Sequence, residues 1–155
     1  MSRTHRNSEI ALTQLLDEVR ACRHCAASLP LGPKPVLRAG AGARLMIVGQ
    51  APGTRVHASG VPWDDPSGER LRDWLNSLPD VFYDASRVAI MPMGFCYRAR
   101  ANPAICPRRR NAHRGMHQLL AHLPALELTL LVGSYAQAYY LESPRGAHRP
   151  RAAVS

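Results

Sequence analysis

The sequence predicts an α/β fold, a three-layer αβα sandwich built on a mostly parallel central sheet. Three observations predict it. Short apolar runs at Leu45 to Val48, Val88 to Met91 and Leu126 to Val132 have the length and bounding turns of buried strands. Stretches with apolar residues at helical spacing lie between them. The resulting order, αβαβαβα, is that of a parallel sheet with helices on its faces.

The elements follow in chain order. Leu12, Leu15, Leu16 and Val19 share one face of a helix over 9–20, which is expected to run up to Cys22 and end before Pro30. Residues 30–42 form a loop punctuated by Pro30, Pro33, Pro35, Gly40 and Gly42. The first strand runs straight into the turn Gly49-Gln-Ala-Pro-Gly53. There Pro52 fixes φ, and Gly53 is expected to permit a bend that a side chain would obstruct. A loop carrying His57 and Trp63 leads to Ser67-Gly68. A helix follows, with Leu71, Trp74, Leu75 and Leu78 at i, i+3, i+4, i+7, ending at Pro79. The second strand is bounded by Pro92. Met116 to His122 suits a helix stopped by Pro124, and after the third strand Gly133-Ser134 opens a last helix, Tyr135 to Leu141.

Two stretches lack any period. Residues 98–116 contain six Arg, four Ala and two Pro, and residues 142–155 are a second Arg/Ala/Pro segment. Both are expected to be loop or disorder. The sheet is therefore expected to be incomplete at the C-terminus, with a domain over 1–141 and a disordered basic tail over 142–155.

Composition bounds the function. The chain of 155 residues is long enough for one core. No apolar run is long enough for a transmembrane helix, and the polar N-terminus lacks a signal-peptide core, so a cytoplasmic, membrane-free monomer is expected. The net charge of +9 favours a phosphate-bearing partner. Yet 19 of the 20 basic residues are arginine, and residues 97–155 hold nine arginines against Glu127 and Glu142. Codon bias explains that pattern as readily as a DNA-facing surface does.

Two constellations carry chemistry. The turn Gly49–Gly53, at a strand's carboxyl end, puts backbone N–H groups where open α/β sheets bind ligands. With Trp63 it describes a pocket floored by amides and roofed by an indole. No Gly-Lys-Ser/Thr follows the turn, which argues against a P-loop. The second constellation is Cys22-Arg-His-Cys25 with Cys96 and Cys106. Four thiols in an intracellular chain favour metal or cluster binding over disulfides. Such a set holds an iron–sulfur cluster or zinc, and geometry decides between them.

Three ordered segments, Val48-Gly49-Gln50-Ala51-Pro52-Gly53, Gly60-Val61-Pro62-Trp63 and Ser67-Gly68-Glu69-Arg70-Leu71, resemble the uracil-DNA glycosylase superfamily, particularly its small iron–sulfur bacterial branches. The resemblance covers about Leu12 to Cys96 and resumes over His117 to Leu141. It implies excision of uracil from uracil-containing DNA, with the base extruded into a pocket. Gly49, Gln50, Ala51, Pro52, Gly53 and Trp63 would bind the uracil, Trp63 by stacking where relatives carry Phe. Gln50 stands where relatives position or activate water. An amide cannot take a proton, so Gln50 can only orient water or bond to the base. His57 is a second catalytic candidate. Cys22, Cys25 and Cys96 match ligands of a 4Fe–4S cluster, whereas Cys106 is displaced from the fourth, expected near Ala112.

Other family features are missing. The strand Met91-Pro-Met-Gly-Phe95 lacks the Asn that reads uracil's edge in many relatives, and the His-Pro-Ser type motif does not appear. Loss of one such electrostatic donor lowers rate by roughly 10²–10³, so weak or absent activity is expected. The alternative is a non-catalytic relative that binds DNA or a nucleobase. Codons for Arg98 to Arg114 can be written so that a one-base shift spells much of the family's missing segment. This suggests that part of the chain is read out of frame, and that it is truncated after Leu141.

Overall fold

The computed structural model describes residues 3–98, 111–142 and 151–154. Four parallel strands, β1 (Leu45–Val48), β2 (Val88–Ile90), β3 (Leu128–Leu131) and β4 (Arg151–Val154), lie in the order β2-β1-β3-β4. Among the described residues six α-helices accompany them: α1 (Arg3–Arg20), α2 (Thr54–Ser59), α3 (Pro66–Trp74), α4 (Pro79–Phe82), α5 (Asn111–Ala121) and α6 (Ser134–Glu142).

Strands β1 to β3 are apolar except for the buried Thr129, because both faces of the sheet are covered. Met46, Val48, Ala89, Met91 and Leu131 pack with Leu12 and Leu16 of α1, Met116 and Leu119 of α5, and Ala136 of α6. Ile47, Val88, Ile90 and Leu130 pack on the other side with Leu71 of α3 and Phe82 of α4. This is the α/β sandwich that the sequence predicts.

Four differences have physical causes. Two short helices, α2 and α4, escape sequence reading because neither is long enough to show a period. Helix α3 begins early, where Asp65 accepts a hydrogen bond from the Gly68 N–H at 2.8 Å and Pro66 occupies the first turn. It also ends early, at Trp74, and Asn76 then enters the left-handed region at φ 47°. The expected apolar stripe consequently does not face the core: Leu71 is buried, but Trp74 is 67% and Leu78 72% exposed. Phe82, 1% exposed, fills the space instead.

Helix α5 starts at Asn111, inside the stretch expected to lack structure, because Met116, Leu119 and Leu123 bury together against the sheet. The remainder of that stretch, 99–110, lies outside the described residues, as do 143–150. Within the segment expected to be a disordered tail, Arg151–Val154 instead pairs in parallel with β3, Leu128 opposite Arg151 through Leu131 opposite Val154. Strand pairing is a backbone interaction. An extended tetrapeptide without proline can satisfy the open edge of β3 whatever its hydrophobicity.

The loop before β1 is structural too. Arg38 forms an antiparallel bridge to Ile90, with hydrogen bonds of 2.9 and 2.6 Å, and Val36, Leu37 and Ala39 are buried. Val36 N–H donates to the Phe95 carbonyl at 2.7 Å. This loop therefore holds the segment after β2 in place.

Candidate active site

Strand β1 lies between β2 and β3, so the connections leaving it and returning to it run in opposite directions across the sheet. That switch point opens a crevice at the strands' carboxyl ends. Two loops build the crevice. Beyond the strands, Met93 N–H donates to the Gly49 carbonyl and Gly94 N–H to that of Gln50, each at 2.8 Å. These bonds use the turn's carbonyls. The N–H groups of Gln50 and Ala51 have no backbone partner among the described residues. Gly49 and Pro52 are buried, and Gln50, Ala51 and Gly53 are exposed.

The glycine that matters sterically differs from the one expected. Gly53 caps α2 with φ −82° and ψ −178°, an extended conformation open to any residue, and a Cβ there would meet nothing within 4 Å. Gly49 is the constrained position. A Cβ on Gly49 would lie 2.8 Å from Trp63 Cζ2, 3.5 Å from Cη2 and 3.6 Å from Cε2. The indole thus lies directly on the backbone at the start of the turn, half-buried, its inner edge against the Ile47–Leu71–Phe82 cluster. Trp63 itself sits at φ 59°, the left-handed region that non-glycine residues rarely occupy. A Cβ on Gly68 would collide with the Trp63 carbonyl oxygen, so α3's first turn packs against that residue's backbone.

His57, on α2, is half-buried, and its Nδ1 is shielded from solvent without a hydrogen-bond partner among the described residues. Its ring lies 6.0 Å from that of Tyr97, tilted by 59°. Sequence reading missed Tyr97, Met93 and Gly94. Their one signal was a glycine and two aromatics straight after a strand.

Cys22 and Cys96 lie near one another, Cys96 in the segment that follows β2. Burial pushes the Cys96 thiol up, while the Lys34 backbone N–H bonds to its sulfur and Cys22 lies near enough to raise it further. Arg98 Nη2 donates to Cys25 Sγ at 4.0 Å. Cys22 and Cys96 are free thiols, but Cys25 is disulfide-bonded, against the expectation that the cysteines avoid disulfides. Among the described residues no group of three His, Cys, Asp or Glu forms a metal site, and Cys106 lies outside them. Among the described residues the donor set fits a cluster in part: Cys22 and Cys96 are free thiols, and Cys25 would join them only after reduction.

At the opposite, amino end of the strands a cavity of about 320 Å³ is lined by Arg44, Leu45, Ser86, Arg87, Glu127 and Leu128. Its main feature is a bidentate pair, Arg44 Nε and Nη2 donating to Glu127 at 2.8 and 2.7 Å. Arg44 holds the Glu127 carboxyl below the usual range. Both side chains are exposed, so the pair adds little stability.

No helix of the described residues is long and apolar enough to cross a membrane. Residues 38–153 match the family model of the Uracil DNA glycosylase superfamily. That span takes in β1 to β3, both loops of the crevice and β4 up to Ala153. The match covers well over half of the chain, which therefore belongs to the uracil DNA glycosylase superfamily.

Proposed function

We propose that this chain removes uracil from DNA by hydrolysing the N-glycosidic bond. One observation carries the reading: Trp63 laid against Gly49, at the turn where the Gln50 and Ala51 amides, without a backbone partner among the described residues, meet the crevice. An extruded uracil would stack on the exposed part of the indole, and its carbonyl would accept from the N–H groups of Gln50 or Ala51. Gly49, Pro52 and Gly53 would shape the floor, and the open space over Gly53 leaves room for the base or its sugar. Gln50 would orient the attacking water through its amide. His57, whose shielded Nδ1 has no partner among the described residues, is the group best suited to meet negative charge developing on the departing base.

The test is a uracil-containing single-stranded oligonucleotide incubated with protein and then treated with alkali. Strand cleavage above that of a thymine control supports the reading, and none overturns it. A second reading, a relative that binds DNA or nucleobase without cleaving, is favoured by one feature. Gln50 cannot serve as a base, and Met91–Phe95 offers no side-chain amide to the uracil edge. Retention on uracil-containing DNA without abasic-site formation would select it.

We also propose that Cys22, Cys25 and Cys96, with Cys106, hold a 4Fe–4S cluster in the reduced protein. The Lys34 N–H on the Cys96 sulfur and the Arg98 guanidinium on Cys25 support it, since such donors stabilise clustered thiolates. The cluster would brace the segment after β2 against the loop before β1. After anaerobic reconstitution, bound iron and sulfide with absorption near about 400 nm are expected; colourless protein free of both would overturn the assignment.

A further inference from the structure

Trp63 holds a conformation that its own backbone disfavours, and the structure shows what restrains it. In the left-handed region Cβ crowds the following carbonyl, so a residue there relaxes unless its surroundings hold it. The Trp63 carbonyl accepts a hydrogen bond from Arg72 Nη1 at 3.2 Å. The same Nη1 donates to the Tyr83 hydroxyl at 3.0 Å. The Arg72 guanidinium also lies 5.6 Å from the centre of the Tyr83 ring and 5.5 Å from that of Phe82. Tyr83 is braced from elsewhere: the Arg38 guanidinium lies 5.4 Å from its ring, and Arg38 Nη1 donates to its carbonyl at 3.0 Å. Phe82, edge-on to Tyr83 at 5.0 Å, is anchored in the core.

We propose that Arg72 is a positioning residue for base removal, latching the Trp63 backbone to Tyr83 so that the indole stays seated on Gly49. This rests on the glycosylase reading above. The linkage runs from the buried Phe82 through Tyr83 and Arg72 to the Trp63 carbonyl, and from there to the stacking ring. Arg72 touches neither base nor sugar in this scheme. It acts only through Trp63. The planar guanidinium lies over two rings while its Nη1 donates to two oxygens, and a lysine ammonium, though it carries three donors, lacks the flat face that makes the ring contacts.

The experiment uses Trp74→Phe as parent. Trp74 is 67% exposed and stands outside the site, and its replacement leaves Trp63 as the sole tryptophan. Arg72→Gln and Arg72→Lys are expected to red-shift Trp63 emission and increase its quenching by acrylamide. Both should lower kcat/KM on uracil-containing DNA about tenfold or more, chiefly through KM. Adding Trp63→Ala to Arg72→Gln should cost much less than Trp63→Ala alone, because the two act as one unit. Tyr83→Phe keeps the ring and drops the hydroxyl, so it should move emission and KM the same way by less. It stands in if the Arg72 variants do not fold. A purely structural role would lower Tm and leave emission and kcat/KM per folded molecule unchanged, which overturns the latch. If the parent releases no uracil, the glycosylase reading falls and the positioning role with it; an active parent with variants within about twofold of it overturns the latch alone.

Discussion

A methyl group at Gly49 would come within 2.8 Å of Trp63 Cζ2, so backbone and indole at this point form one steric unit. Gly49→Ala should unseat the ring without touching any polar group. Trp63→Ala should remove it. Loss of a base–aromatic stack is worth about 1–3 kcal/mol, so both variants are expected to lower kcat/KM on uracil-containing DNA by roughly 5- to 150-fold. Equal activity of either variant and wild type in the alkali-cleavage assay would remove Trp63 from the site. A second effect at this scale concerns acid. Asp84 accepts from Ser86 Oγ at 2.6 Å and from Ser86 N–H at 2.9 Å, which holds its carboxyl below the usual range. A carboxyl depressed on folding adds stability above its unfolded pKa and loses it as pH falls through the folded value. Wild type should therefore lose stability below about pH 4 more steeply than Asp84→Asn. The comparison is Tm between neutral pH and about pH 2.5, and parallel curves would refute it.

Among the elements, α3 does most to place the site, because its first turn packs on the Trp63 carbonyl while Leu71 fastens it to the sheet. Its start depends on Asp65, whose carboxylate caps the Gly68 N–H. Asp65→Ala should destabilise the fold by about 1 kcal/mol, read from urea denaturation. It should also loosen Trp63, whereas the same loss of stability from a distant site should not. Strands β1 to β3 were legible because each is a short apolar run with turn residues at both ends. Helices α2 and α4 were not, since four to six residues carry no period. The C-terminal limit of α3 was misread for a related reason. Leu75 and Leu78 continue the spacing, but the left-handed Asn76 turns the chain and Phe82 takes the buried position.

Across the whole molecule, charge is divided unevenly. Residues 64–84 carry six acids against two arginines, while the chain overall is +9. The α3–α4 side is thus acidic, and the positive charge lies elsewhere. If arginines engage the phosphate backbone, the logarithm of DNA affinity should fall linearly with the logarithm of salt between about 50 and 200 mM. A slope near zero would exclude those contacts and leave the basicity as composition alone. The sheet is a whole-molecule matter too, because β4 covers the outer edge of β3. Removing residues 143–155 should expose that edge and promote association, visible as concentration-dependent growth in light scattering.

By itself the sequence determined the α/β class, strands β1 to β3, the crevice at their carboxyl ends and the ordered motifs that mark the superfamily. These follow from local periodicity and turn chemistry, which each segment carries within itself. Only the tertiary structure decided that Trp63 rests on Gly49, that Arg72 and Tyr83 restrain it, and that Arg151–Val154 completes the sheet. Each of those depends on which surfaces meet after the chain has folded back on itself. Close approach, a left-handed backbone and strand pairing are relations between segments, and no single segment encodes them.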